Sequence, residues 1–433
     1  MKFFNKLLVL SFAMFCFSCN EDEIAENIQV SNAPENVNEN SSVVSQTEDF
    51  KISESEAMDN AMEFLSHLNG GLSKGGGQIS FESIIPLRKS KSVLKKSLAE
   101  EDSSDYEIGF DTLFYAINLA DNQGYIIAAS DKRTDPIYAF VDDGSFCLDS
   151  LESDEYTGIS MFLNYAVDTE LDDIANYSDT VSISKKSLSK AWQINVKKAA
   201  LLDTKWGQRY PYNYYCNGKL TGCVVTAIAQ IMSYYKTPSS VSWNSNGYGN
   251  STSMNWSRII SDCKSNNGRL ISSTQTSALE VANLMRMLGI AFNADYGSNS
   301  TSVNSKKALK KINSVGWLSA GSLNDFDIVK IQRALSNNQL VFARGYRTKR
   351  KLFGYKNGHA WVYDGYINAS QNGKTSFMVH CNWGWNGTAN GYYIAKSFNV
   401  KTGPELIDSK DDNSTSNDDW NYKYKCQYSI MTK

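Results

Sequence analysis

Two short motifs carry the residues best suited to covalent chemistry. Gly222-Cys223 opens an apolar run with helical periodicity, and Gly358-His359 opens a strand-like run far downstream. A thiol at a helix N-terminus faces free N–H groups and the positive end of the helix dipole, and both lower its pKa. An imidazole beside such a thiol is the minimum apparatus for acyl transfer by a cysteine. The chain has three histidines, so the candidate partners are few.

Each of these residues also has a structural interpretation. A cysteine at the start of an apolar helix is often part of the core, and a histidine at the start of a strand is more often structural than catalytic. His380 is a second candidate imidazole, and Asn382 would share its strand face and hold an imidazole as in Cys-His-Asn enzymes. Cys381 faces the other side without a helix dipole behind it, which makes it a weak rival nucleophile. His67 is predicted to lie at the surface.

Two alternatives to a peptidase remain open from the residues. Asp364 follows His359 on the same predicted strand, so Cys223, His359 and Asp364 could form the triad of a transglutaminase-like acyl transferase. The alternative from another class is a catalytically idle scaffold that binds at a surface.

The elements that must position these residues form two predicted halves. In the second half, the pattern predicts a helix from Cys223 to about Pro238 and two further helices at residues 276–288 and 305–312. Strands are predicted after them, at residues 340–343, 359–364, 377–382, 391–395 and 422–431. The first half predicts a helix, a three-stranded antiparallel meander and a second helix, at residues 53–68, 113–117, 124–129, 137–141 and 159–173. Residues 174–190 have the composition of an exposed linker. The fold class is therefore α+β.

Length and composition restrict the class of protein. A chain of 433 residues exceeds one ordinary domain. Its net charge of −3 argues against a nucleic-acid partner, which would require a basic surface. Eight cysteines do not make a disulfide scaffold at this length, and no CxxC pair suggests a zinc site. We expect no metal and no organic cofactor.

The N-terminus has the features of a bacterial export signal. Residues 1–18 combine basic flanks with an apolar core at residues 7–17 that is too short to span a membrane. Ser18-Cys19 followed by acidic residues is typical of a lipoprotein signal, so Cys19 would carry lipid and become the mature N-terminus. Residues 19–47 then form a flexible tether. The expected location is the outer membrane or cell surface as a lipoprotein, or the medium as a secreted protein.

The second half resembles the streptopain family of papain-like cysteine peptidases. The matching stretches are Thr-Gly-Cys-Val-Val-Thr-Ala-Ile-Ala-Gln-Ile-Met at 221–232, Gly-His-Ala-Trp-Val-Tyr-Asp-Gly at 358–365 and Val-His-Cys-Asn-Trp-Gly-Trp at 379–385. Asp295-Tyr296-Gly297 and Asn338-Gln339 also match. The resemblance implies a two-subdomain catalytic fold, with a helical part carrying the thiol and an antiparallel sheet part carrying the imidazole.

The resemblance also implies roles for individual residues. Cys223 would be the nucleophile, His359 the base, Asn382 the residue that orients His359, and Trp383 the cover over that contact. Gly358 and Ser302 would touch substrate. The first oxyanion donor would be the backbone N–H of Cys223, with Gln208 as a candidate for the second.

The resemblance extends into the first half as an inhibitory pro-domain. Phe64 and the stretches at residues 124–127, 130–133 and 144–146 resemble the family's propeptide. The chain would then comprise a pro-domain at 48–190 and a peptidase domain at 191–433, separated by a maturation cut near Lys190-Ala191. The function implied is an exported cysteine endopeptidase made as a zymogen, with protein or peptide substrates and its own pro-domain as an intramolecular inhibitor. Cys381 departs from the family pattern, which has an apolar residue there.

Overall fold

The computed structural model describes residues 50–69, 78–88, 112–177, 192–297, 300–345, 358–371, 374–399 and 426–433. The predicted signal and tether, Cys19, and the predicted cut at Lys190-Ala191 lie outside these ranges. Within them, no helix is both long enough and apolar enough to cross a membrane.

The N-terminal half contains the predicted helix, meander and second helix, together with one more strand. The bounds are α1 (Glu54–Asn69), β1 (Phe81–Arg88), β2 (Thr112–Leu119), β3 (Tyr125–Ala129), β4 (Ile137–Val141) and α2 (Thr157–Ala175). A capping box starts α1, because Ser53 and Glu56 exchange hydrogen bonds across its first turn. Strand β1 is not predicted from the sequence because Pro86 lies within it and Glu82 and Ser83 are polar, and a proline fits its position at the sheet edge.

The C-terminal half follows the predicted order of helices and then strands. The bounds are β5 (Gln193–Lys198), α3 (Cys223–Tyr235), β6 (Ser240–Ser245), β7 (Tyr248–Ser253), α4 (Trp256–Lys264), α5 (Thr276–Ala291), β8 (Asp295–Tyr296), β9 (Thr301–Ser302), α6 (Ser305–Val315), β10 (Ser319–Ala320), β11 (Asn324–Asp325), α7 (Ile328–Ser336), β12 (Leu340–Gly345), β13 (His359–Gln371), β14 (Lys374–Asn382), β15 (Gly391–Ile394) and β16 (Gln427–Thr432). The α+β class is confirmed.

Strands of both halves join in one sheet, whereas β6 pairs with β7 and β8 with β9 in two separate hairpins. The order of the joined sheet is β1-β2-β3-β4-β15-β14-β13-β12-β16-β10, and β4 of the N-terminal half pairs antiparallel with β15 of the C-terminal half. The sequence predicted the two sets of strands but not this junction, because the edge that a strand will pair with has no local signature.

The two faces of this sheet carry different parts of the molecule. On β12 and β13, alternate residues point to opposite sides, as the two-residue repeat of a strand requires. Val341 and Trp361 belong to a core shared with α1 and α2, whereas Phe342 and Val362 belong to a second core shared with α3 and α5. The strand that begins at His359 is therefore packed between the helix that carries Cys223 and the helices of the N-terminal half.

Candidate active site

Cys223 is the first residue of α3, and the glycine before it, Gly222, allows the backbone to turn into the helix. Gly222 has a φ of +94°, a conformation that few residues with a side chain adopt. A Cβ there would lie 3.1 Å from Cγ2 of Thr301. Thr301 is held in place because its hydroxyl donates to the carbonyl of Leu220 at 2.6 Å. Strand β9 thus packs directly against the start of the helix that carries the thiol.

Cys223 is half-buried, and its thiol faces backbone N–H groups. Burial raises the pKa of the Cys223 thiol, and hydrogen bonds from the N–H groups of Ala360, Val224 and Cys223 itself offset part of that rise. Because Ala360 follows His359 directly, the thiol lies next to the start of the strand that carries the imidazole.

The His359 imidazole is held from one side. It is buried, and its Nε2 donates to the carbonyl oxygen of Trp383 at 2.8 Å, which leaves Nδ1 as the acceptor nitrogen. Burial lowers the pKa of His359 to about 4, against the opposing effect of the bond to Trp383. None of the hydrogen bonds found in the described residues joins His359 to Cys223. In this state, both groups are neutral at pH 7.

None of the hydrogen bonds of the described residues joins Asn382 to His359, which differs from the expectation from the sequence. Its side-chain oxygen accepts from Gln230 at 3.0 Å and from the N–H of Gly384 at 3.2 Å, and its Nδ2 donates to the carbonyl of Thr204 at 2.8 Å. Both the oxygen and the nitrogen of the Asn382 amide are therefore hydrogen-bonded to groups other than His359. The main-chain carbonyl of the next residue, Trp383, is the group that holds the imidazole.

Two aromatic rings enclose the His359 imidazole. The Trp361 ring stacks on it at 6.4 Å between centroids with an interplanar angle of 12°. The Trp383 ring lies at 6.2 Å and is tilted by 35°. These rings keep water from the bond between His359 and the Trp383 carbonyl. The sequence predicted that Trp383 would cover a different contact, the one between Asn382 and His359.

The remaining candidates lie around the thiol. Gln208 is buried, and its carbonyl accepts the N–H of Thr221 at 3.0 Å, two residues before the nucleophile candidate. Ser302 is exposed on β9, next to Thr301, and Gly358 is exposed immediately before the imidazole. The three residues therefore lie on segments that adjoin Cys223 or His359.

A helix of the N-terminal half covers this site. A Cβ on Gly158, at the start of α2, would lie 2.3 Å from Cδ2 of Trp383, so the helix backbone rests on the indole. One and two turns further, Met161 and Tyr165 pack against Gly345, which pairs with His359 in the sheet. Gly158 has no local sequence signal for its contact, because Trp383 lies more than 200 positions further along the chain.

The alternative triad does not form. Asp364 bonds to His380, with its Oδ1 2.5 Å from Nδ1, and its Oδ2 accepts the N–H of Leu202 at 3.2 Å. His380 and Asp364 are both buried, and the pair fastens residues 201–202 to the sheet. Cys381, the rival nucleophile, is fully buried, and that burial raises its pKa well above the usual value, so it remains a thiol. His67 is exposed, as predicted.

The His380–Asp364 pair predicts a loss of stability when the histidine is removed. We expect His380→Leu to lower the free energy of unfolding by about 3–5 kcal/mol, because it leaves the Asp364 carboxylate buried without its partner. Urea unfolding of the whole chain measures this loss. Cleavage per folded molecule should not change, since His380 does not reach Cys223 or His359.

The loss of unfolding free energy in His380→Leu should be larger at acid pH than at alkaline pH. Burial lowers the pKa of His380, but the charge of Asp364 and the hydrogen bond to it together outweigh burial, so the pKa is raised above 6.5. The stabilisation is therefore complete below pH 6.5 and is lost as the pH rises through the raised pKa. The difference between wild type and His380→Leu should narrow at alkaline pH, whereas His67→Leu serves as an exposed control. An equal difference at all pH values would contradict the ion pair.

Family models match both halves of the chain. The model of the Peptidase C10 family matches residues 206–393, a range that contains Cys223, His359 and Trp383. The model described as Spi protease inhibitor matches residues 49–167, a range that contains Gly158. The inhibitor match lies in the N-terminal half and the peptidase match in the C-terminal half.

Curated relatives agree with these models. Streptopain of Streptococcus pyogenes serotype M1 is 25% identical over 332 residues, which cover 66% of this chain and 74% of streptopain. The thiol protease/hemagglutinin PrtT of Porphyromonas gingivalis is 25% identical over 323 residues, which cover 67% of this chain and 34% of PrtT.

Two solved structures are also similar. A prointerpain A fragment of Prevotella intermedia matches with a TM-score of 0.47 at 20% identity, covering 73% of this chain and 94% of that one. Active interpain A of the same organism matches with a TM-score of 0.36 at 22% identity, covering 55% of this chain and 95% of that one. From the Peptidase C10 match across the thiol and the imidazole, and from the streptopain relatives, the chain is a streptopain-like cysteine-type endopeptidase.

Proposed function

We propose that this chain is an exported cysteine endopeptidase made as a zymogen. Residues 48–190 act as an inhibitory pro-domain and residues 191–433 as the peptidase. The observation that carries the proposal is a thiol at a helix start beside the N–H of Ala360, with the neighbouring His359 held through Nε2 by the Trp383 carbonyl. No metal or organic cofactor takes part.

The proposed mechanism needs only the thiol and the imidazole. The Cys223 thiolate attacks the scissile carbonyl, and His359 as imidazolium gives its proton to the leaving amine. His359 then takes a proton from water, and the resulting hydroxide attacks the acyl-enzyme and releases the acid and the thiolate. The N–H of Cys223 and the side chain of Gln208 stabilise the oxyanion. Gly358 and Ser302 contact the substrate.

The contacts between the two halves support inhibition by the pro-domain. Helix α2 lies on Trp383 and on the strand pair that carries His359, where substrate access requires open space. In this covered state the dyad is neutral, since burial raises the pKa of Cys223 and lowers that of His359 to about 4. Removal of α2 exposes the dyad to water and allows the thiolate–imidazolium pair to form.

Charge complementarity also supports docking of the pro-domain. Lys396 of the peptidase half bonds to both Asp135 and Asp173 of the pro-domain half. Arg209 of the peptidase half likewise forms an ion pair with Asp154 of the pro-domain half, at 3.0 Å. Each of these contacts joins a cation of the proposed peptidase to an acidic residue of the proposed pro-domain, so proteolysis near Lys190-Ala191 separates two complementary surfaces.

Export completes the proposal. Residues 1–18 act as the signal and residues 19–47 as the tether, and lipidation of Cys19 would attach the enzyme to a membrane surface. Its partners are protein or peptide substrates and its own pro-domain, and nucleic acid is not among them.

The proposal is tested by following maturation. Purified protein lacking residues 1–19 is incubated while its mass and its cleavage of casein are measured, with a thiol-directed epoxysuccinyl probe added to parallel samples. We expect a loss of mass up to about residue 190, casein cleavage that appears as that mass is lost, and labelling of Cys223. Incorporation of an amine into a glutamine substrate without hydrolysis would instead indicate an acyl transferase. A cut protein without cleavage or labelling would indicate an idle scaffold.

A further inference from the structure

Gln230 is a fully buried polar residue on the helix that carries the nucleophile candidate. It follows Cys223 by seven residues, almost two turns or about 10 Å along α3, so the two side chains leave nearly the same face of the helix. The surrounding positions of α3 are mostly apolar and buried. A buried amide in such a run must be hydrogen-bonded, because leaving it without partners would be costly.

The first set of bonds connects α3 to the turn that follows β14. Gln230 Nε2 donates to Asn382 Oδ1 at 3.0 Å, and Asn382 Nδ2 donates to Gln230 Oε1 at 3.2 Å. The same Asn382 oxygen accepts the N–H of Gly384, which has a φ of +74°. The paired amides therefore fix the conformation of residues 382–384 from below.

Trp383 lies inside that turn and is fixed on its other side by Asn390. The Trp383 N–H donates to Asn390 Oδ1 at 2.9 Å, and the Trp383 carbonyl accepts from His359 Nε2 at 2.8 Å. The direction of this carbonyl sets the plane of the imidazole. A change in the turn would consequently rotate His359 away from the thiol.

A second bond of Gln230 reaches another catalytic segment. Its Oε1 accepts the N–H of Trp206 at 2.9 Å, two residues before the oxyanion candidate Gln208. The carbonyl of Gln208 in turn accepts the N–H of Thr221, just ahead of Cys223. One side chain thus links the segments that carry the nucleophile, the oxyanion donor and the carbonyl that holds the base.

We propose that Gln230 is a positioning residue that sets the His359 imidazole relative to the Cys223 thiol, by bonding to Asn382 and so fixing the Trp383 carbonyl. This deepens the proposed function and rests on it. In this assignment Asn382 acts through the main chain of its neighbour and not by direct contact with the base. Neither effect requires Gln230 to touch substrate.

The test compares Gln230→Met with Ser233→Ala in the full chain after maturation by added wild-type enzyme. Methionine keeps the length of the side chain and removes the hydrogen bonds. Ser233 lies on the same helix, is buried and bonds to the carbonyl of Gln230 at 2.6 Å, so its loss should lower stability without moving the turn. The readouts are kcat, KM, the pH dependence of kcat/KM, and urea unfolding.

We expect Gln230→Met to lower kcat by about 10- to 100-fold with little change in KM, as a small displacement of a catalytic group does. The basic limb of kcat/KM should move to lower pH, because the bond to the Trp383 carbonyl favours the protonated form of His359. Ser233→Ala should keep the wild-type kcat and pH profile. Asn390→Ala removes the hydrogen bond to the Trp383 N–H without changing α3, and it should move the basic limb of kcat/KM in the same direction. This variant replaces Gln230→Met in the test if Gln230→Met does not fold.

Two results would overturn the inference. One is a wild-type kcat and pH profile in Gln230→Met, and the other is an equal loss in Ser233→Ala. Failure of the proposed function would look different, because wild-type protein itself would then show no casein cleavage and no labelling of Cys223. The ratio between variant and wild type therefore tests the role of Gln230 alone.

Discussion

Replacement of the nucleophile, Cys223→Ala, should lower casein cleavage by roughly four orders of magnitude or more. Loss of the nucleophile has an effect of this size in proteases, because the base and the oxyanion donors assist its attack and the acyl-enzyme cannot form without it. The variant should also stay as an uncut precursor, since its own maturation would be blocked. Mass spectrometry and a casein assay on the same samples measure both effects.

The matched control is another cysteine of the same half. Cys381→Ala removes a fully buried thiol on β14, so it should cost some packing energy and leave cleavage per folded molecule unchanged. Thermal unfolding of both variants checks that each is folded. Casein cleavage by a folded Cys223→Ala protein, or its loss in Cys381→Ala, would contradict the assignment of the nucleophile.

The second large effect should come from the contact between α2 and Trp383. Gly158→Val places side-chain atoms where a Cβ alone would already approach the Trp383 indole to 2.3 Å. Overpacking of this kind costs about 1–3 kcal/mol. Because the contact joins the proposed pro-domain to the proposed peptidase, that cost should weaken docking by roughly 10- to 100-fold.

The expected result for Gly158→Val is therefore faster maturation and earlier labelling of Cys223 by an epoxysuccinyl probe. Glu155→Val, an exposed change three residues earlier, adds the same side chain without meeting Trp383 and should mature like wild type. Far-UV circular dichroism of both precursors shows whether α2 has formed. Unchanged maturation in a folded Gly158→Val precursor would mean that this contact does not govern latency.

Local sequence patterns predicted most of the elements that surround the site. The apolar repeat behind Cys223 predicted α3, and alternating residues predicted β13 and β14, because the periods of helices and strands are properties of the chain itself. The β6–β7 hairpin, β5 and the short helices α4 and α7 were not predicted. Their runs are short or polar, and tertiary packing decides such segments more than local preference does.

The hydrogen bonds of Asn382 show why the role of a residue was harder to predict than the position of a helix or strand. A strand pattern gives the face on which a side chain lies, yet it does not show which neighbour has already engaged its amide. Gln230 carried a local signal, a buried polar side chain in a mostly apolar helix, and its meaning depended on a partner 152 residues away. Asn390 carried no signal of its own.

Residue types and short-range spacing were enough to predict the α+β class and the two motifs that hold the thiol and the imidazole, because these properties act along the chain. The motifs also carried the resemblance to the streptopain family. The folded protein was needed to show that β4 joins β15, that the Trp383 carbonyl and not the Asn382 amide holds His359, and that α2 covers the site. Each of these is a contact between distant segments, and such contacts are set by packing and hydrogen-bond satisfaction in the folded protein.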